Sequence, residues 1–127
     1  MTVESLDHVN IRVADPDATM TFFIDILGMA VSPIRPTWIT DTAGRPVIHV
    51  GSIDASYPTD EWRPFVGARD SGAVHHVALG CTDYDRVLAR LCEHGLAHTT
   101  NDVPRATLRQ IFVAEPGGVM LELNFRG

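Results

Sequence analysis

Three histidines and one glutamate are the residues of this chain best suited to metal chemistry: His8, His49, His76 and Glu122. A neutral imidazole nitrogen binds borderline divalent ions, and a carboxylate offsets part of the ion's charge. Their placement is repeated. Leu6-Asp7-His8-Val9-Asn10-Ile11-Arg12-Val13 is echoed by Val74-His75-His76-Val77-Ala78-Leu79-Gly80-Cys81, which lays His8 over His76. Gly44-Arg45-Pro46-Val47-Ile48-His49-Val50 is echoed by Gly117-Gly118-Val119-Met120-Leu121-Glu122-Leu123, which lays His49 over Glu122. A repeat that duplicates both a strand pattern and its candidate ligands is hard to explain by core packing alone. Two His and one carboxylate with open positions hold Fe²⁺ in non-haem oxygenases; three His and one Glu equally suit Zn²⁺, Ni²⁺, Co²⁺ or Mn²⁺.

Taken singly, each residue has a commoner explanation. A lone His on a strand is more often hydrogen-bonded core than ligand. A carboxylate between Leu121 and Leu123 needs a partner, because an unpaired buried charge is costly. Four such residues at mirrored positions favour ligation. His75 competes with His76 for the ligand role; alternation favours His76, which aligns with His8, and a one-residue slip would exchange them. His94, at a predicted helix end, and His98, in a polar stretch, read as solvated surface residues.

The elements that must position these groups follow from periodicity. Over 6–13, Val9, Ile11 and Val13 point one way while His8, Asn10 and Arg12 point the other. Asp15 suits a helix cap, Pro16 its first position and Gly28 its end. Between them Met20, Phe23, Ile24 and Leu27 form a helical stripe that covers the apolar face of the sheet. Strands are predicted at 37–42 and 46–50, with a turn at Thr42-Ala43-Gly44-Arg45. The second half repeats the order. Val77, Leu79 and Cys81 line one strand face, Asp83 caps a helix ended by Gly95, and 108–114 and 119–125 form a hairpin around Glu115-Pro116-Gly117-Gly118. Residues 51–73 are aperiodic and read as a linker that could also cover the site.

The expected fold is α+β: one domain over 1–127, with modules at about 5–50 and 74–125. Each is a βαβββ unit too small to be reliably stable alone. Their pairing would join curved mixed sheets around a cleft into which the four candidate ligands project. Arg12 shares the face of His8 and suits a planar anionic substrate group as an anchor; an ion pair with an acid is its ordinary alternative. Gln110 and Phe112 share a strand face that could line the pocket, whereas Arg109 on the other face reads as structural. Trp38, Trp62 and Phe65 could wall an apolar substrate or simply join the core.

Composition narrows the classes. The 127 residues carry a formal net charge of −6, which argues against a nucleic-acid partner, since phosphate binding needs a basic face. There is no apolar run long enough for a bilayer, and the N-terminus lacks a signal-peptide pattern. Cys81 and Cys92 lack metal-site spacing and are expected to be reduced thiols in a cytoplasmic protein.

Leu6-Asp7-His8-Val9, the Asp15…Phe22-Phe23…Leu27-Gly28 helix, His76-Val77-Ala78 and Pro116-Gly117-Gly118-Val119-Met120-Leu121-Glu122-Leu123 together resemble the vicinal oxygen chelate superfamily. That group includes glyoxalase I, extradiol dioxygenases, methylmalonyl-CoA epimerase, and fosfomycin and bleomycin resistance proteins. The resemblance covers essentially the whole chain. It implies paired βαβββ modules, a homodimer, and a divalent metal at the positions of His8, His49, His76 and Glu122. It also implies chemistry in which the metal binds two vicinal oxygens of a small substrate and stabilises the anion that develops between them. Where glyoxalase I and the epimerase usually carry Glu or Gln, this chain has His49, which is closer to the extradiol dioxygenases. Their triad would be His8, His49 and Glu122, with His76 as an acid–base residue and Arg12 as substrate anchor. Those enzymes usually carry a Tyr where this chain has Phe112. Phe112 counts against ring cleavage, but on His49 ring-cleaving oxygenase chemistry is the leading expectation, and glyoxalase-like lyase or isomerase chemistry the close alternative. A third reading, sequestration of a drug or metabolite without metal, is disfavoured by retention of all four ligand positions.

Overall fold

Alternating apolar residues build two four-stranded sheets, each backed by a helix. The computed structural model describes residues 2–66 and 72–126. The chain divides into two compact units, Met1–Gly67 and Ala68–Gly127. The first contains β1 (Val9–Val13), α1 (Pro16–Thr21), β2 (Ala30–Val31), β3 (Trp38–Thr40) and β4 (Pro46–Ser52). The second contains β5 (Val77–Cys81), α2 (Tyr84–Glu93), β6 (His98–Val103), β7 (Leu108–Ala114) and β8 (Met120–Arg126). Both are βαβββ, as the internal repeat predicts.

The sheets have equivalent orders, β1-β4-β3-β2 and β5-β8-β7-β6. In each, the first strand runs parallel to the last and the other neighbours are antiparallel. Asp15 caps α1 as expected, its side chain accepting from the Ala18 N–H at 3.1 Å. Beyond Thr21 the helix widens into a π-helical turn over Phe22–Ile26, which buries Phe22, Phe23 and Ile26. Gly28, at φ +70°, ends it in the left-handed region that costs glycine little. In the first unit these aromatics pack with Ile11, Val13, Ile39, Ile48 and Val50; in the second, Val87 and Leu91 are buried with Ile111, Val113, Leu121 and Leu123. Each fully buried side chain of this size contributes roughly 1.5–3 kcal/mol.

Three expectations need correction. The first strand of each unit begins one residue later than expected, at Val9 and Val77, so His8 and His76 precede their strands rather than lying within them. Asp83 occupies the cap position of α2, but with φ +67° its side chain makes no capping hydrogen bond. The polar stretch around His98 is the edge strand β6, and His98 is half-buried, its Nδ1 2.8 Å from the Leu96 carbonyl oxygen. An edge strand needs little apolar sequence, because water satisfies one flank and much of one face. Cys81 and Cys92 are free. No helix among the described residues is long and apolar enough to cross a membrane.

Candidate metal centre

Strand register places the candidate ligands in equivalent positions in both units. Asn10, two residues after His8, pairs with His49 across β1 and β4. Ala78, two residues after His76, pairs with Glu122 across β5 and β8. Asn10 and His49 thus share one face of the first sheet and Ala78 and Glu122 one face of the second, while His8 and His76 stand immediately before β1 and β5.

In the first unit Trp38 links the two histidines. Its ring stacks on His49 at 4.5 Å with an interplanar angle of 4°, and meets His8 edge-on at 4.6 Å. His8 Nδ1 lies 2.6 Å from Asp7 Oδ1. An Nδ1–H donated to that carboxylate leaves Nε2 with its lone pair, the arrangement common behind metal-bound histidines. His49 Nδ1 lies 2.8 Å from Asn10 Nδ2. With Nδ2 donating to Nδ1 the ring proton sits on Nε2; a ligating Nε2 would need the Asn10 amide turned about, its Oδ1 then accepting from both His49 Nδ1–H and the Tyr57 hydroxyl. Asn10 Nδ2 also donates to the Tyr57 hydroxyl at 3.4 Å. Tyr57 comes from the aperiodic segment, where no pattern pointed to it.

Burial pushes the His49 pKa below its ordinary 6.5, and the neighbouring charges of His8 and Arg35 act in the same direction. Near neutral pH the ring is therefore in the uncharged form that ligates metals. The folded state binds this proton less readily than the unfolded chain. His49 thus adds nothing to the pH dependence above about 6.5 and costs stability as pH falls through its lowered pKa. Metal-free His49→Gln should lose less Tm than wild type between pH 7 and pH 5; identical slopes in thermal unfolding would contradict this.

Arg12 is committed elsewhere on the same face. Its Nε and Nη2 donate to the Ser52 carbonyl oxygen at 3.2 and 3.1 Å, and Nη2 also donates to that of Ala55. Asp60 lies 3.7 Å away, and the guanidinium sits 5.3 Å from the Tyr57 ring and 5.4 Å from that of Phe65. In this placement Arg12 staples the 52–65 segment to β1. Trp62 is exposed.

In the second unit His76 Nε2 lies 3.7 Å from Glu122 Oε1. Its Nδ1 is 2.8 Å from His75 Nδ1, so one of the two rings donates to the other. The other carboxylate oxygen, Glu122 Oε2, accepts from Asn124 Nδ2 at 3.0 Å. Arg109 lies over the Tyr84 ring, 3.5 Å from its centroid, consistent with a structural role.

Two donors each about 2.1 Å from one ion stand roughly 3.0–3.4 Å apart at octahedral or tetrahedral angles. The His76–Glu122 separation is a few tenths of an ångström wider. Among the described residues, no three His, Cys, Asp or Glu side chains are gathered tightly enough to hold a metal ion. The donor types present, imidazole nitrogens and a carboxylate, suit a borderline divalent ion.

A family model described as the Glyoxalase/Bleomycin resistance protein/Dioxygenase superfamily matches residues 5–123. The chain belongs to this superfamily. Among solved structures it is similar to a glyoxalase/dioxygenase from Nostoc punctiforme, with 19% identity, 99% of this chain and 93% of that one covered, and a TM-score of 0.71. It is also similar to a lactoylglutathione lyase from Agrobacterium tumefaciens, with 17% identity, 97% and 94% coverage, and a TM-score of 0.64. An antibiotic-binding protein from a Streptomyces species gives 20% identity, 100% and 99% coverage, and a TM-score of 0.64. These likenesses show the superfamily fold. No curated protein matches the chain.

Proposed function

We propose that the chain is a divalent-metal-dependent enzyme acting on a small substrate with two vicinal oxygens. The observation that carries this is the repeated diagonal: His8 beside the Asn10–His49 pair, His76 beside the Ala78–Glu122 pair. His8, His49, His76 and Glu122 are the proposed ligands, completed within one chain or between the two chains of a homodimer. An ion held there, Fe²⁺, Mn²⁺, Zn²⁺, Ni²⁺ or Co²⁺, supplies Lewis acidity and a template for the substrate oxygens. Where His8, His49 and Glu122 alone hold the ion, His76 is instead the proposed acid–base residue: its Nε2 faces Glu122 Oε1 and its Nδ1 is engaged by His75, so a proton can be held between supported partners. Arg12 acts by pinning the segment that carries Tyr57, and the anchoring of an anionic substrate falls to it only where that segment yields a donor.

Histidine at position 49 favours extradiol-type ring cleavage within this class. A second reading, small-molecule binding without metal, draws on the absence of a three-donor cluster among the described residues and on the fold shared with an antibiotic-binding protein. The test is oxygen uptake by the Fe²⁺-loaded chain with a panel of catechols, beside turnover of a hemithioacetal by the Ni²⁺-, Zn²⁺- and Co²⁺-loaded chain. Catechol-dependent oxygen uptake is expected. Hemithioacetal turnover without oxygen uptake would replace ring cleavage by lyase chemistry, and catechol binding unchanged by chelator, without turnover, would favour the binding reading.

A further inference from the structure

Behind Glu122 a row of amides crosses the second sheet. Asn101, Gln110 and Asn124 are in register on β6, β7 and β8. Asn101 Nδ2 donates to Gln110 Oε1 at 2.8 Å, Gln110 Nε2 donates to Asn124 Oδ1 at 3.0 Å, and Asn124 Nδ2 donates to Glu122 Oε2 at 3.0 Å. Gln110 and Asn124 are each only 9% exposed.

The polarity of this row is dictated from one end. An ionised carboxylate only accepts, so Asn124 must present its NH₂ to Glu122 and its oxygen to Gln110. Gln110 must then donate inward and accept from Asn101. Every amide dipole points the same way, and aligned hydrogen bonds in a poorly hydrated setting reinforce one another. A simple buried crosslink would need no such direction and no carboxylate at its end. The consequence falls on Glu122: Oε2 is turned toward and accepts from Asn124, and Oε1 is the oxygen turned toward His76 Nε2.

We propose that Asn101, Gln110 and Asn124 form a positioning ladder that holds Glu122 to coordinate a metal through Oε1 alone. This rests on the metal-dependent reading above. None of the three touches the reacting atoms; they act through Glu122, and removing such supporting partners typically weakens metal affinity by about 10–100-fold.

The test is Co²⁺ titration of the full chain, reading both the Kd and the visible absorption band, which reports coordination number. Asn124→Ala should bind Co²⁺ at least about tenfold more weakly, with a weaker, shifted band as the carboxylate turns to use both oxygens. Gln110→Leu, which keeps Asn124 beside Glu122, should show the same band shift with a smaller loss. Thr100→Ala, a neighbour of Asn101 on β6 outside the ladder, should match wild type. A purely structural role would lower the unfolding temperature while leaving the band unchanged, and that result overturns the proposal. If Asn124→Ala gives no cooperative unfolding, Gln110→Leu decides on the same criterion. A wild-type chain that binds no Co²⁺ removes the metal-dependent reading and the ladder's role with it; a wild type that binds while both variants match it removes the ladder alone.

Discussion

Glu122→Ala protein, purified beside wild type, should lose its metal. Supporting residues behind a ligand already account for about 10–100-fold in affinity, so deleting a ligand should cost on the order of 100-fold or more. Glu122 is the one carboxylate in the proposed set, and without it three neutral imidazoles face a doubly charged ion with nothing to offset it. Glu122→Gln separates charge from shape. Its amide keeps the length and one acceptor oxygen, so it should bind more weakly than wild type and more tightly than Ala. Elemental analysis after gel filtration reads both. Full metal occupancy in Glu122→Ala would remove Glu122 from the site.

The second large effect concerns stability rather than chemistry. Glu115 is 2% exposed, and its carboxylate accepts from the Gly117 N–H at 2.7 Å and the Val119 N–H at 3.0 Å. It thereby closes the turn between β7 and β8, where Gly118 takes φ +101°. Hydrogen bonds to a charged group contribute about 1.5–3 kcal/mol each, and truncation also leaves a small cavity where the buried side chain stood. Glu115→Ala should therefore cost about 3–5 kcal/mol, a large share of the 5–15 kcal/mol typical of a domain. For a chain of this size that lowers Tm by roughly 10–20 °C. Glu115→Gln, with one acceptor left, should lose about half as much. Thermal unfolding by circular dichroism measures both, and a Glu115→Ala Tm within a few degrees of wild type would contradict this account of the turn.

What was legible in the chain was what periodicity and caps control. Alternation in 6–13 and 74–81 carried the two first strands, which begin one residue after His8 and His76. Asp15-Pro16 and Gly28 bounded the first helix. The β7–β8 hairpin falls at 108–114 and 120–126, within a residue of its expected bounds. What escaped was set by tertiary contact. β6 reads His-Thr-Thr-Asn-Asp-Val, polar enough to pass for a loop, because one flank is a sheet edge. Tyr57 reaches Asn10 from a segment whose shape depends on the Arg12 staple. Arg12 could be read from sequence as anchor or ion-pair partner, and only its partners distinguish the two. Asn124 had a usable signal, since it lies two residues from Glu122 on one strand and so shares its face. Gln110 was visible as a pocket-side residue, but its link to Glu122 needed the register of three strands. The segment 67–71, part of the expected linker, lies outside the described residues.

Metal dependence is tested most directly by elemental analysis of untagged wild-type protein, purified without chelator and away from nickel resin. Stoichiometric divalent metal is expected, with iron in line with ring cleavage and zinc, nickel or cobalt in line with lyase or isomerase chemistry. Protein that holds no metal, even after incubation with excess ions and gel filtration, would contradict metal dependence and leave a small-molecule-binding module in its place.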